Sequence, residues 1–178
     1  MDNITDSNRV GIDLSSLSNN TLTDNTASNN EYGIRMSWDS NNNTPHHNNL
    51  INNTDHNVYD TCTNTWDSGS EGNYYSDYNG TDPDGDGIGD TPHPIPGGIS
   101  IDRFPLMHPW SDTPQIGDLN RDDQITPADA AIALRLVADG SASCDPATLA
   151  AADVSGDNRV TSSGALMILQ AAAGAITL

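Results

Sequence analysis

Apolar residues separated by one polar position recur along the first sixty residues: Ile12-Asp13-Leu14, then Ile34-Arg35-Met36, then Val58. In a strand, residues i and i+2 share a face, so each group predicts a short strand with one side buried. The flanking polar residues keep the same register. Asn3 to Leu14, Asn25 to Met36 and Asn49 to Asp60 align as three copies, 22 and 24 residues apart. Asn opens each copy, the fifth residue is Ser7, Asn29 or Asn53, and the ninth is Gly11, Gly33 or Asn57. One strand per repeat, with Asn at the turns, predicts right-handed parallel β-helix coils, roughly two and a half of them. Asn side chains can bond from coil to coil along such a stack. Leucine-rich repeats share the period but need leucines that are missing here, and disorder is the other alternative.

The pattern changes after residue 62. Trp66, Tyr74, Tyr75, Tyr78, Phe104 and Trp110 fall in the next stretch and are expected to cap the last coil. Inside it lies Asp82-Pro83-Asp84-Gly85-Asp86-Gly87-Ile88-Gly89-Asp90. Asp82, Asp84, Asp86 and Asp90 stand at positions 1, 3, 5 and 9 with Gly between, which predicts a calcium loop completed by the Ile88 carbonyl. An ordinary Asp/Gly turn is the alternative.

From Gly117 to Gly174 one pattern is written twice, 35 residues apart. The first copy supplies Asp118, Asn120 and Asp122 at positions 1, 3 and 5, the Gln124 carbonyl at 7 and Asp129 at 12. Oxygens at this spacing converge when a loop curls, and a set made only of oxygens selects a hard cation such as calcium. Ile125 at position 8 is expected to turn into the core. The second copy supplies Asp153, Ser155, Asp157 and the Arg159 carbonyl, but Gly164 stands at position 12, so this site is expected to be degenerate. Position 6, usually Gly, is Asp123 or Asn158, residues that tolerate a left-handed backbone better than most. Apolar helices follow. Thr126 can cap the first, Pro127 suits its first position, Ile132, Leu134, Leu136 and Val137 supply its apolar face, and Gly140 suits its stop. Asp145-Pro146 opens a short middle helix over 147–152, and a last helix is expected over about 163–173 with Gly174 as its stop.

These loop-helix copies resemble a type I dockerin, over about residues 115–178. The resemblance implies a small all-α module folded by calcium, which binds a cohesin on a partner protein. It also implies that positions 10 and 11 of each loop and the middle of the following helix face the cohesin. Here those positions are Pro127, Ala128, Leu134 and Arg135 in the first copy, and Ser162, Ser163, Leu169 and Gln170 in the second. For Leu134 and Leu169, burial in the core is the alternative. The run from Gly72-Asn73-Tyr74-Tyr75 through Gly87-Ile88-Gly89-Asp90 to Asp102-Arg103-Phe104-Pro105 is similar to the C-terminal end of NosD-like, periplasmic copper-binding-type β-helix proteins, common on archaeal surfaces. That resemblance covers about residues 1–108 and implies a β-helix in an exported protein.

The chain of 178 residues carries six Arg, no Lys and 25 acids, for a net charge of -19. Phosphates would repel it, which argues against nucleic acid and against an anionic membrane surface. No stretch is long and apolar enough to span a membrane. Met1 opens directly on a repeat, which predicts further coils upstream. Cys62 and Cys144 lack metal-ligand spacing, and cross-module pairing, free thiols and an intermolecular bond are all open. His46, His47, His56, His93, Met107 and His108 show no copper-ligand spacing, and adjacent His46 and His47 would point to opposite sides of a strand. Asp13, Arg35 and Asp60 fall near equivalent coil positions, a shallow polar groove without a convincing catalytic set.

The expected organisation is therefore mixed. It comprises β-helix coils over 1–62, an irregular cap over 63–110, a linker over 111–116 and an all-α calcium-binding domain over 117–178. The expected function is cohesin binding outside the cell or at its surface, with two to three calcium ions and no catalytic residues. A carbohydrate-binding or carbohydrate-active β-helix fragment, with polysaccharide as ligand, and a purely structural surface protein are the alternatives.

Overall fold

The computed structural model of the chain describes residues 3–111, 115–122, 124–139 and 146–178, the side chain of Pro146 excepted. Expectations at Asp123, Gly140, Asp145 and the linker residues 112–114 lie outside the described residues, as does Cys144 with any pairing to Cys62. Two compact units are present: Met1–Pro83 with Ile88–Trp110, and Asp84–Gly87 with Ser111–Leu178.

The first unit is a parallel β-solenoid of about three turns. Each full turn carries three short strands, not one. They are β1 (Ile4–Asp6), β2 (Val10–Ser15) and β3 (Thr21–Leu22), then β4 (Thr26–Ser28), β5 (Tyr32–Ser37) and β6 (Thr44–Pro45). A third turn brings β7 (Asn49–Ile51) and β8 (His56–Asp60), and β9 (Tyr74–Tyr75) begins again beside β7. The sheets run β1-β4-β7-β9, β2-β5-β8 and β3-β6, all parallel. β10 (His93–Pro94) and β11 (Ile101–Asp102) pair antiparallel. The additional strands have two or three residues with one inward side chain, Ala27 or Leu50, too few to show a period-two signal.

The expected register holds on β2-β5-β8, where Ile12 lies beside Ile34 and Ile34 beside Val58. On the other sheet Thr26 pairs with Asn49, so Asn48, not Asn49, continues the position of Asn25. The extra residue of the third repeat sits between β7 and β8, and Asn53 joins Asn30 instead of Asn29.

Three Asn ladders tie the turns together, one at each bend between sheets. Asn3 donates its amide to the Asn25 Oδ1 at 2.9 Å, Asn25 to Asn48 at 2.8 Å and Asn48 to Asn73 at 2.8 Å. The backbone N–H of Asn8 donates to Asn30 Oδ1 at 2.9 Å, and the Asn30 amide donates to Asn53 at 3.1 Å. Asn20 donates to Asn43 at 3.0 Å and Asn43 to Asn64 at 3.1 Å. Within the coils lie Leu14, Ile34, Met36, Leu50 and Val58, closed at the cap by Trp66, Tyr75 and Ile95.

Each ladder ends on a carboxylate, which only accepts. Asn73 donates to Asp102 at 3.2 Å, Asn53 passes through Asn57 to Asp77 at 2.6 Å, and Asn64 donates to Asp60 at 3.0 Å. Asp60 is fully buried and also accepts from Trp66 Nε1 at 2.9 Å and Ser100 Oγ at 2.8 Å. It therefore takes no part in a polar groove. Arg35 lies instead between Asp13 and Tyr59, 2.6 Å from the Asp13 carboxylate.

In the second unit α1 (Pro127–Asp139), α2 (Pro146–Ala152) and α3 (Ser162–Ala172) surround Leu119, Ala130, Ile132, Ala133, Ala152, Ala165 and Ile168. The buried face of α1 is Asp129, Ala130, Ile132 and Ala133, with Leu136 partly buried beside it. Leu134 at 50% and Val137 at 37% exposure point away from it, a correction to the expected apolar face. Gly174, left-handed at φ 71, ends α3: its N–H donates to Ala171 and the Ala175 N–H to Gln170, both at 2.8 Å.

Burial pushes the Asp102 carboxyl up to about 6, although Asn73, Phe104 and Tyr75 all donate to it. A folded pKa above the unfolded value, about 3.9, means the folded chain binds more protons in that window, so stability falls as pH rises through it. Between pH 4 and 6 the native chain should lose up to about 3 kcal/mol relative to Asp102→Asn. Urea midpoints of both chains across that range measure it, and a constant difference would refute the assignment.

Candidate functional site

The two loops of the second unit fold alike. In the first, the Asp122 N–H donates to both Asp118 Oδ1 at 3.2 Å and Asn120 Oδ1 at 3.3 Å, which draws these two oxygens to one point. The Gln124 N–H donates to Asp122 Oδ1 at 2.9 Å. In the second, the Asp157 N–H donates to Asp153 Oδ1 and the Arg159 N–H to Asp157 Oδ1, each at 3.1 Å. Arg121 and Gly156, both at position 4, are left-handed at φ 62 and 72, and Asn158 at position 6 is left-handed at φ 60 as expected. The strain at Arg121 had no sequence signal, because an Arg there gives no hint of a turn. Ile125 and Val160, both at position 8, pack against the core.

The copies differ at position 12. Asp129 is fully buried at the third residue of α1. Its Oδ2 accepts from the Thr126 N–H at 2.7 Å and Thr126 Oγ1 at 3.0 Å. Its Oδ1 accepts from the N–H groups of Leu119 at 2.8 Å and Asn120 at 3.2 Å. Thr126 in turn accepts from the Ala128 N–H, so one carboxylate completes a capping box and closes the loop. In the second copy Thr161 caps α3 through the Gly164 N–H at 3.1 Å, and no side chain returns the bond. A Cβ on Gly164 would lie 3.4 Å from Val154 Cγ2, an ordinary packing contact. Asp118 and Asp129 are nearly free of solvent, while Ser155 and Asp157 are exposed. Two carboxylates with an amide oxygen suit a hard dication, and the first loop has them preorganised.

A separate run of chain gathers Asp82, Asp84 and Asp86, whose carboxylate oxygens lie within 4.8 Å of one another. It is the one such group of three His, Cys, Asp or Glu side chains among the described residues. Asp90 lies outside it, exposed, with its N–H on the Thr81 carbonyl, and Ile88 bridges Leu106. No histidine joins such a group. His46 and His47 do not point apart: their ring centroids lie 4.7 Å from each other, because left-handed His47, φ 58, breaks the strand alternation. His47 stacks on Trp110 at 3.4 Å and meets Glu71 at 3.0 Å.

Of the eight expected partner-facing residues, Pro127, Leu134, Arg135, Ser162, Ser163, Leu169 and Gln170 are exposed and Ala128 is half-buried. Leu134 and Leu169, at equivalent positions, are 50% and 44% exposed, so neither is core. Leu166, 54% exposed, adds a third large apolar side chain that the sequence reading passed over.

Residues 1–80 match the family described as periplasmic copper-binding protein (NosD), and residues 116–171 match the dockerin type I domain. No curated protein and no solved structure gives a match.

Asp129 accepts from four donors of the chain itself, so its loss should weaken the second unit in a chelator as well as in calcium. Asp129→Ala should cost about 2–4 kcal/mol, and Asp129→Asn, which keeps one acceptor oxygen, about half of that. Thermal unfolding in chelator, followed by far-UV circular dichroism, compares the two, and an unchanged midpoint for Asp129→Ala would refute the capping role.

Proposed function

With a NosD-like β-helix followed by a type I dockerin module as the premise, we propose that the chain is a calcium-dependent docking protein. The dockerin module binds a cohesin-bearing partner, and the β-helix is the cargo it attaches, outside the cytoplasm. The observation that carries this reading is the repeated loop geometry at Asp118–Asp129 and Asp153–Gly164, each running into a helix with an exposed leucine at the same position. Calcium would be held in the first loop by Asp118, Asn120, Asp122, the Gln124 carbonyl and Asp129. In the second, Asp153, Ser155, Asp157 and the Arg159 carbonyl would hold it more weakly. The ion would supply the positive charge that lets these carboxylates share one point, and so would couple folding to binding. The Asp82–Asp86 group is the proposed third site.

Neither matched family is catalytic, and the proposal assigns no reaction. No described helix is long and apolar enough to cross a membrane. A second reading, polysaccharide binding, draws on the outer side of β2-β5-β8. There the rings of Tyr32, His56 and Tyr59 lie within 5.3 to 5.9 Å of one another, beside the Asp13–Arg35 pair.

The immobilised full chain should capture a cohesin-bearing protein from secreted and surface proteins in calcium and release it in chelator. Capture that ignores calcium, or no capture of such a protein, would overturn the reading. In a calcium titration followed by circular dichroism, Asp118→Ala and Asp129→Ala should shift the midpoint upward by tenfold or more, on the order of 1.4 kcal/mol or above, and Asp153→Ala by less. Equal shifts for all three would refute the asymmetry of the loops.

A further inference from the structure

Resting on the dockerin reading, we infer that the chain covers part of the first of its two recognition faces, at Ala128 and Arg135, with its own Asp84–Gly87 segment, leaving α3 as the fully open face for the partner. This segment belongs to the second compact unit. Arg135 Nη1 lies 2.9 Å from Asp84 Oδ2, and its Nη2 lies 3.6 Å from Asp86 Oδ2. A Cβ placed on Gly85 would lie 3.7 Å from the Ala128 Cβ. One placed on Gly87 would lie 2.5 Å from the Asn120 carbonyl oxygen. The backbone of the segment therefore lies against the first loop and Ala128, and its carboxylates meet Arg135, so two of the four first-copy recognition residues are engaged.

The ion pairs are about half exposed and contribute little by themselves. The seating depends on glycine. Gly87 is left-handed, at φ 84, and any side chain there would collide with backbone. In the first copy Ala128 is half-buried and Arg135 is ion-paired, although Pro127 and Leu134 stay exposed; in the second, Ser162, Ser163, Leu166, Leu169 and Gln170 are all exposed. The two faces also differ in charge. Arg135 is neutralised by two carboxylates, while α3, Ser162–Ala172, carries no charged residue at all. The partner that fits α3 presents an apolar patch for the two leucines, ringed by neutral hydrogen-bonding groups. A strongly charged surface would be desolvated there without compensation.

Cysteine labelling of the full chain in calcium tests the covering without any partner present. With Cys62→Ser and Cys144→Ser as background, Ala128→Cys should react with a polymer-linked maleimide about tenfold more slowly than Ser163→Cys. Gly87→Ala should bring the two rates together. Equal rates in the unaltered segment would overturn the inference, as would a rate difference that survives Gly87→Ala. If Gly87→Ala loses ellipticity, Asp84→Asn with Asp86→Asn replaces it, and the rates should still converge; persistence of the full difference would count against the inference. The dockerin reading fails separately, through absence of a cohesin-bearing partner. Where that partner is captured, Leu169→Ala should reduce capture about tenfold or more and Leu134→Ala by less than about twofold. Equal losses would refute single-face binding.

Discussion

Every inward-turned polar group in the solenoid has to find a partner without help from water, and short amide side chains meet that need. A buried Asn presents one oxygen to the turn on one side and one amide group to the turn on the other, so it passes a hydrogen bond along the stack without changing its direction. Such a chain of donors cannot end on another amide without leaving N–H groups unsatisfied. It ends on Asp102, Asp77 and Asp60, which only accept. The cap is thus a chemical terminus as well as an apolar lid. Trp66 follows the same logic, since its ring fills the coil end while its N–H completes Asp60. The composition of the first unit, rich in Asn and poor in hydrophobic residues, follows from where its cohesion lies.

The second unit applies the same rule over a shorter range. Asp118, Asp153 and Asp157 accept backbone N–H groups two to five residues ahead, and this is what bends each loop. Asp is one methylene shorter than Glu, and only the short carboxylate reaches back within a turn this tight. These loop residues are among the 23 Asp of the chain's 25 acids. Asp129 couples the loop to the helix, because it caps α1 and closes the loop through the N–H groups of Leu119 and Asn120. Gly164 uncouples them in the second copy.

Much of this was legible in the sequence, for identifiable reasons. Ile12, Ile34 and Val58 stand out because alternation is strict where one face of a strand is buried. The loops stand out because oxygen donors at fixed spacing have few other uses. The remainder was hidden by local effects. A one-residue insertion between β7 and β8 leaves one strand of the repeat in the expected register and moves the other, so Asn48 and Asn49 cannot be told apart by spacing. A left-handed His47 reverses the side to which its ring points. In α1, apolar residues outnumber the positions that face the core, and the small Ala130 and Ala133 hold the helix contact where Leu134 was expected. Composition marks a helix as apolar; only packing says which apolar residues are left over.

Those left-over leucines carry the functional argument. A duplicated module begins with two equivalent faces, and equivalence is lost when either copy acquires a second task. Here the copies have diverged in opposite directions. The first has the buried, fully bonded loop and the capped helix, yet its outer face carries Gly85 against Ala128 and two carboxylates against Arg135. The second has the exposed loop and a glycine where the first has its closing carboxylate, yet its helix surface is open and uncharged. Rigidity and availability are therefore divided between the two copies. A helix packed on a preorganised neighbour can present side chains to a partner without being the element that holds the fold. Weakening of the second loop is tolerable on these terms, because α3 is anchored through Ala165 and Ile168 to the core that the first copy organises.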